Sequence, residues 1–159
     1  MRYLMIAGAL LVSSALLDAR PVSAQAAQTP SVAKMEANKK TVAAFYDAVL
    51  NKKDYDLALT FIGAAGYKQH NPTAKDGVEG MKGFINFLKE KFPNNKSEIK
   101  RIFADGDYVI VHVHAVREPG TRGNAIMDIF RLDDKGKVVE HWDAVQPIPE
   151  TAQNDNTMF

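Results

Sequence analysis

The chain contains no cysteine. That excludes disulfides, thiolate metal sites and a cysteine nucleophile, so the fold must be held by its core or by self-association. Charge bias is nearly as scarce: 20 Lys and Arg stand against 19 Asp and Glu, a formal net charge of +1. Without a basic excess there is no electrostatic case for nucleic acid, and none is expected as a partner. No Gly-x-Ser-x-Gly elbow and no glycine-rich phosphate loop occur, and there is no internal repeat, heptad pattern or low-complexity block. The long apolar run Leu4–Leu17 covers 14 residues, short of the roughly 20 that a membrane span needs.

That run has another reading. Met1-Arg2 gives a short positive start, and Asp18-Ala-Arg-Pro-Val-Ser-Ala ends in small residues, the pattern of a signal peptide over residues 1–24. Cleavage after Ala24 fits best, with Ala26 as the alternative and an uncleaved anchor as the competing reading. No cysteine follows the run, so a lipid anchor is excluded. The expected location is secreted or periplasmic, with no membrane attachment after cleavage. From Gln25 the remaining 135 residues suffice for one domain, and loss of Arg2, Arg20 and Asp18 brings the net charge to zero. Residues 25–32 read as a flexible leader, 33–150 as the domain, and 151–159 as a polar tail whose Met158-Phe159 end could dock.

From about Ala33 the pattern is helical: Val42, Phe45, Tyr46, Val49 and Leu50 recur at one face. Asn51-Lys-Lys-Asp breaks it, and Tyr55–Ile62 suggests a second, short helix ended by Gly63. Tyr67-Lys-Gln-His-Asn-Pro is a short extended piece that must stop before the proline. Asp76 is a candidate N-cap for a third helix, Val78–Phe92, with Met81, Phe84, Ile85, Leu88 and Phe92 on one face. Ser97–Asp105, Tyr108–Val116, Ala125–Leu132 and Lys137–Val145 then read as four antiparallel strands separated by glycine-bearing turns. The expected fold is α+β, a cone-shaped curved sheet with three helices on its concave face.

The strand registers define a candidate pocket. A loop centred on Thr121, between the second and third of these strands, sets His114 opposite Asp128. A three-residue Asp134-Lys135-Gly136 turn sets Asp128 opposite Trp142 and Phe130 opposite Glu140. One face then carries His114, Asp128 and Trp142 beside His112, Phe130 and Glu140, with Ile110, Ile126 and Val138 around them. A two-residue Asp134-Lys135 turn would instead bring His141 opposite Asp128 and turn Trp142 away.

The order of elements, together with Tyr67-Lys-Gln-His-Asn-Pro and Glu140-His-Trp-Asp-Ala-Val-Gln-Pro, resembles the SnoaL-like polyketide cyclases of the nuclear transport factor 2-like superfamily. The branch of predicted aldol-condensation-catalysing enzymes is the nearest in pattern, including the Asn156-Thr-Met-Phe ending. The resemblance spans about residues 34–159. It implies an intramolecular aldol closure, or a related isomerisation, of a small apolar carbonyl ligand without metal or cofactor. It further implies a strand aspartate, matched by Asp128, as acid/base and a neighbouring-strand histidine, matched by His114, as its support. His70, Asn71, His112, Phe130, Glu140 and Trp142 are the expected substrate-binding residues. His70, Asn71 or His112 would donate to the enolate oxygen. A homodimer through the sheet is the expected assembly, with His141 and Asp143 facing it.

Plainer readings stand beside these. Asp128 and His114 could be a hydrogen-bonded pair that only fixes register, Glu140 could pair with a cation, and Trp142 could line the core. Arg131 is expected on the sheet face opposite to that of Asp128, in a salt bridge. His112 and His114 share a strand face and could hold a metal with Asp128 or Glu140, but the spacing is a weak signal and the resemblance gives it no support. A non-catalytic binding protein of the same fold is the alternative function.

Overall fold

The computed structural model describes residues 31–159, and the expected signal segment and most of the leader lie outside them. Helix α1 (Val32–Tyr46) starts at Ser31, whose hydroxyl accepts from the Lys34 amide. The hydroxyl thereby satisfies one of the free N–H groups of the first turn. A π-type turn follows directly (Asp47–Lys52) and stops at Lys53, which adopts a left-handed conformation. The buried Lys53 ammonium is tied to the Asn51 and Pro93 carbonyls at 3.3 and 3.2 Å. Asp54 caps the short α2 (Tyr55–Leu59) through the Leu57 amide. Asp76 caps α3 (Gly77–Lys91) as its position suggests, and also accepts from the Gln69 amide at 2.8 Å, tying the helix to β1 (Lys68–Gln69).

Four long strands complete the chain: β2 (Lys96–Asp105), β3 (Tyr108–Val116), β4 (Asn124–Leu132) and β5 (Val138–Pro147). The sheet order is β1-β5-β4-β3-β2, with β1 parallel to β5 and every other pair antiparallel. The sheet curves around the three helices without closing, the α+β arrangement expected from the sequence. Alternation on β3 sends Val109, Val111 and Val113, all fully buried, toward Val42, Phe45, Tyr46, Met81 and Ile85 of the helical layer. Apolar residues every second position on a strand and every third or fourth on a helix produce this contact.

Both hairpin registers differ from the expected ones, each by an odd number of residues. In β3–β4, Ala115 opposes Asn124 and Val111 opposes Asp128, a shift of three. The loop is not centred on Thr121: Gly123, at φ +77°, lies so close to the Ala115 carbonyl that a Cβ there would collide, and β4 starts directly after it. In β4–β5 the turn itself is the expected one, with Gly136 at φ +69° and the Asp133 amide donating to the Lys137 carbonyl. A bulge then intervenes. Leu132 opposes Val138 while Arg131 opposes Glu140, so Val139 is the extra residue and every later side chain changes face.

Candidate active site

The two odd shifts compound into a clear division. Ile126, Asp128 and Phe130 face the helices and line an internal cavity of about 500 Å³, joined from β5 by His141 and Asp143. His112, His114 and Trp142 lie on the opposite, outer face of the sheet, with the Glu140 carboxylate. The His114–Asp128 pairing is therefore corrected: His114 opposes Ala125, and its Nε2 hydrogen-bonds the Arg122 carbonyl at 2.8 Å. His112 Nδ1 meets Arg101 at 3.2 Å, and a metal set joining His112 and His114 to Asp128 cannot form through the sheet.

Glu140, His70 and Trp142 are likewise outside the cavity. Glu140 accepts from Arg131, its cross-strand partner, at 2.7 Å, so Arg131 lies on the face away from Asp128 and forms the expected salt bridge. His70 Nε2 contacts the other Glu140 oxygen at 2.8 Å while its ring stacks on Trp142 at 4.6 Å. This cluster clamps β1 to the sheet edge. The His70 hydrogen bond and then Arg131 hold the Glu140 carboxyl below its ordinary range. A depressed carboxyl contributes stability above its unfolded pKa of about 4.3 and loses it as pH falls through the folded value. Glu140→Gln should accordingly lower the melting temperature at pH 7, with the gap to the parent closing below about pH 4; a pH series of thermal melts reads it.

Of the expected site residues, Asp128, Asn71 and Phe130 line the cavity. Asp128 is 4% exposed. Its Oδ2 accepts from the Tyr46 hydroxyl at 3.2 Å, and its Oδ1 lies 3.0 Å from His141 Nε2. The histidine tautomer follows from its surroundings. The Asn71 backbone N–H donates to Gln69 Oε1 at 2.8 Å, which fixes that atom as the carbonyl oxygen. His141 Nδ1 lies 3.0 Å from the same oxygen and must carry a proton to donate to it. If His141 were neutral, Nε2 would be a bare acceptor facing a carboxylate. The 3.0 Å contact therefore requires one more proton, shared between Asp128 and His141. Burial is the largest influence on Asp128 and raises its carboxyl pKa; the hydrogen bond from His141 only partly offsets it.

Asp143 stands directly across from Asp128, and both its oxygens accept from the Asn71 side-chain Nδ2, at 2.7 and 2.8 Å. Tyr67 accepts from the Gln69 side-chain amide at 3.2 Å, and its own hydroxyl proton has no acceptor in the protein among the described residues. Burial raises the Tyr67 and Tyr46 pKa values, so both remain protonated donors at neutral pH. Asp128, His141 and Asp143 place ligand atoms within 4.8 Å of one another and could hold a divalent cation. A cation there would have to displace the Tyr46, His141 and Asn71 contacts that already use those atoms.

His141, Asp143, Tyr46, Tyr67 and Gln69 were not expected in the site. Tyr46 reads as core from the apolar pattern of α1, and Tyr67 as the start of a short extended piece. His141 and Asp143 were assigned to the outer face, and only the two-residue-turn alternative had pointed toward His141. Met158-Phe159 does not cap the cavity; the Phe159 ring sits on the outer face, 4.8 Å from the His114 ring and 5.2 Å from that of His112.

A curved sheet around three helices, with ionisable groups on the wall of an apolar cavity, defines an α+β cone that encloses a pocket. Residues 42–141 match the model of the SnoaL-like domain, and the chain belongs to that family. Similar solved structures include a candidate polyketide cyclase from Bacillus cereus ATCC 10987 (18% identity, 75% of this chain and 88% of that one, TM-score 0.62). Others are IdmH, a candidate polyketide cyclase from Streptomyces antibioticus (24% identity, 68% and 91%, TM-score 0.56), and TsrD from Streptomyces laurentii (19% identity, 69% and 88%, TM-score 0.57). At these identities the likeness establishes the fold, of the nuclear transport factor 2-like kind. A comparison with curated proteins finds no match.

Proposed function

We propose that the protein is an exported enzyme that abstracts a proton next to the carbonyl of a small apolar compound, leading to aldol-type cyclisation or isomerisation without a cofactor. The observation that carries this reading is the buried carboxylate of Asp128 sharing a proton with His141 on the wall of an apolar cavity. In the one-proton state, the carboxylate of Asp128 beside a protonated His141 is the base. It takes the α-proton of the bound carbonyl compound and becomes the carboxylic acid, while the substrate becomes an enolate. The charge of the enolate is balanced by the His141 imidazolium, and the free Tyr67 O–H is the donor suited to its oxygen. In cyclisation the enolate carbon then attacks a second carbonyl, whose oxygen takes the proton back from Asp128 as it becomes a hydroxyl; in isomerisation Asp128 returns the proton at another carbon. Asn71 restrains the facing Asp143, and Phe130 supports the His141 ring at 4.6 Å.

Deuterium exchange tests the chemistry without the natural substrate. A panel of cyclic and linear ketones in D2O should include members whose α-protons exchange faster with the protein than without it. Such exchange should follow a bell-shaped pH profile whose two limits belong to the Asp128–His141 pair as a unit. Ligand retention with no exchange by any member would favour the alternative, a binding protein.

The assembly belongs to the same proposal: a homodimer formed through the outer sheet face. Phe103, Tyr108, Met127 and Ile129 are exposed there, an apolar surface that a monomer has reason to cover. Met127→Glu would place a charge at each copy of that face and is expected to convert the dimer to monomer in light scattering. A monomeric parent protein would refute this part alone.

A further inference from the structure

The cavity has a second polar end, remote from Asp128. Asp128 opposes Val111, and Arg117 comes six residues later along the same chain direction. At about 3.3 Å per strand residue this separates their backbones by roughly 20 Å. Arg117 nevertheless lines the cavity, at its exposed end. Its guanidinium lies 5.6 Å from the centre of the Phe92 ring and 6.0 Å from that of Phe84. It enters no salt bridge and donates no hydrogen bond among the described residues. The two rings attract the cation without using its N–H groups, and a guanidinium with unused donors suits a carboxylate or another oxyanion.

Two further observations fall at this end or on this lining. Lys96 opposes Val116, so Asn95 and Arg117 flank the next position of the β2–β3 pair. Asn95 also lines the cavity; its amide nitrogen donates to the Leu50 carbonyl at 2.9 Å, and its Oδ1 is buried without a donor. A buried acceptor left unmet is costly, and a ligand hydroxyl or N–H would meet it. The charge of the lining also has a sign. Asp128 and His141 are neutral as a pair sharing one proton, and Asp143 is outnumbered by Lys75 and Arg117, neither of which forms a salt bridge among the described residues.

We infer that the ligand is an elongated apolar carbonyl compound with an anionic group at the end away from the reacting carbonyl, and that Arg117 binds this anion. The inference deepens the proposed function by fixing substrate class and orientation. The carbonyl half rests on that reading, whereas the anion half concerns binding alone.

The test is displacement of N-phenyl-1-naphthylamine fluorescence from the purified protein by octanoate and by octan-1-ol at low ionic strength. Arg117→Gln should weaken octanoate about fivefold, the size of a partly exposed ion pair, and leave octanol unchanged. Arg117→Lys should recover part of the loss, and added salt should weaken octanoate only in proteins that keep the cation. Equal effects of Arg117→Gln on the two competitors, or no effect on octanoate, would overturn the inference. So would failure of both to displace the probe from the parent protein. No turnover is measured, so a protein that proves non-catalytic can still show the anion site, and an enzyme can still lack it.

Discussion

Replacing Asp128 by Asn is expected to lower α-proton exchange by about 10² to 10⁴-fold, the range a positioned general base contributes, while the protein remains folded and binds apolar ligands. The substitution is close to ideal for this site. Asn Oδ1 can accept from the Tyr46 hydroxyl, and Asn Nδ2 can donate to the bare Nε2 of neutral His141, whose Nδ1 proton is held by Gln69. Both hydrogen bonds therefore survive and only the basicity is lost. Stability gives an independent reading. Burial raises the Asp128 carboxyl pKa, so the ionised form costs the folded state stability. That cost is absent below the unfolded pKa of about 3.9 and grows as pH rises through the folded value. Asp128→Asn should thus melt at or above the parent temperature at pH 7, with the advantage vanishing toward pH 4. A variant that exchanges α-protons as fast as the parent would remove Asp128 from the chemistry. A variant that melts well below the parent at pH 7 would mean that the carboxylate is a structural anchor.

The fold was legible because the signals that specify it are local. Periodicity located α1 and α3, Asp76 marked the start of the latter, and Gly136 identified the β4–β5 turn. The cavity face was not legible, for a reason that is also physical. Which side of the sheet a residue faces depends on the parity of the register, and one inserted residue reverses it. Val139, the bulged residue, is an ordinary β-branched apolar residue that nothing in its neighbourhood distinguishes. The β3–β4 shift depended on how closely Gly123 approaches the Ala115 carbonyl, a tertiary fact. Asp128 was recoverable because a carboxylate flanked by Ile126, Met127, Ile129 and Phe130 is unusual whichever way it points. Its partner was not. His112, His114 and His141 are equally compatible with strand chemistry, and the choice among them rests on parity alone. Tyr46 was hidden because an apolar stripe gives no sign that a phenol in it turns its hydroxyl toward a carboxylate, and Tyr67 because a short extended piece does not show which of its side chains enters a cavity.

The largest stability effect is expected at Phe130, where core and site meet. The ring is 2% exposed, edge-on to Phe45 at 5.9 Å and to Tyr46 at 6.3 Å, and stacked against His141 at 4.6 Å. Phe130→Ala removes the apolar surface of the ring and leaves a void that rigid neighbours fill incompletely, a loss of about 3–5 kcal/mol. Set against a total of about 5–15 kcal/mol for a typical domain, this brings the protein close to unfolding at ambient temperature. Urea denaturation should show a lower midpoint at unchanged slope, and Phe130→Leu, which keeps most of the volume, should lose much less. The same ring restrains the imidazole that shares a proton with Asp128, so proton exchange should fall in Phe130→Ala even at temperatures where the variant is fully folded. A loss below about 1 kcal/mol would mean that the cavity continues beneath the ring and that Phe130 is a pocket wall rather than a part of the packed core.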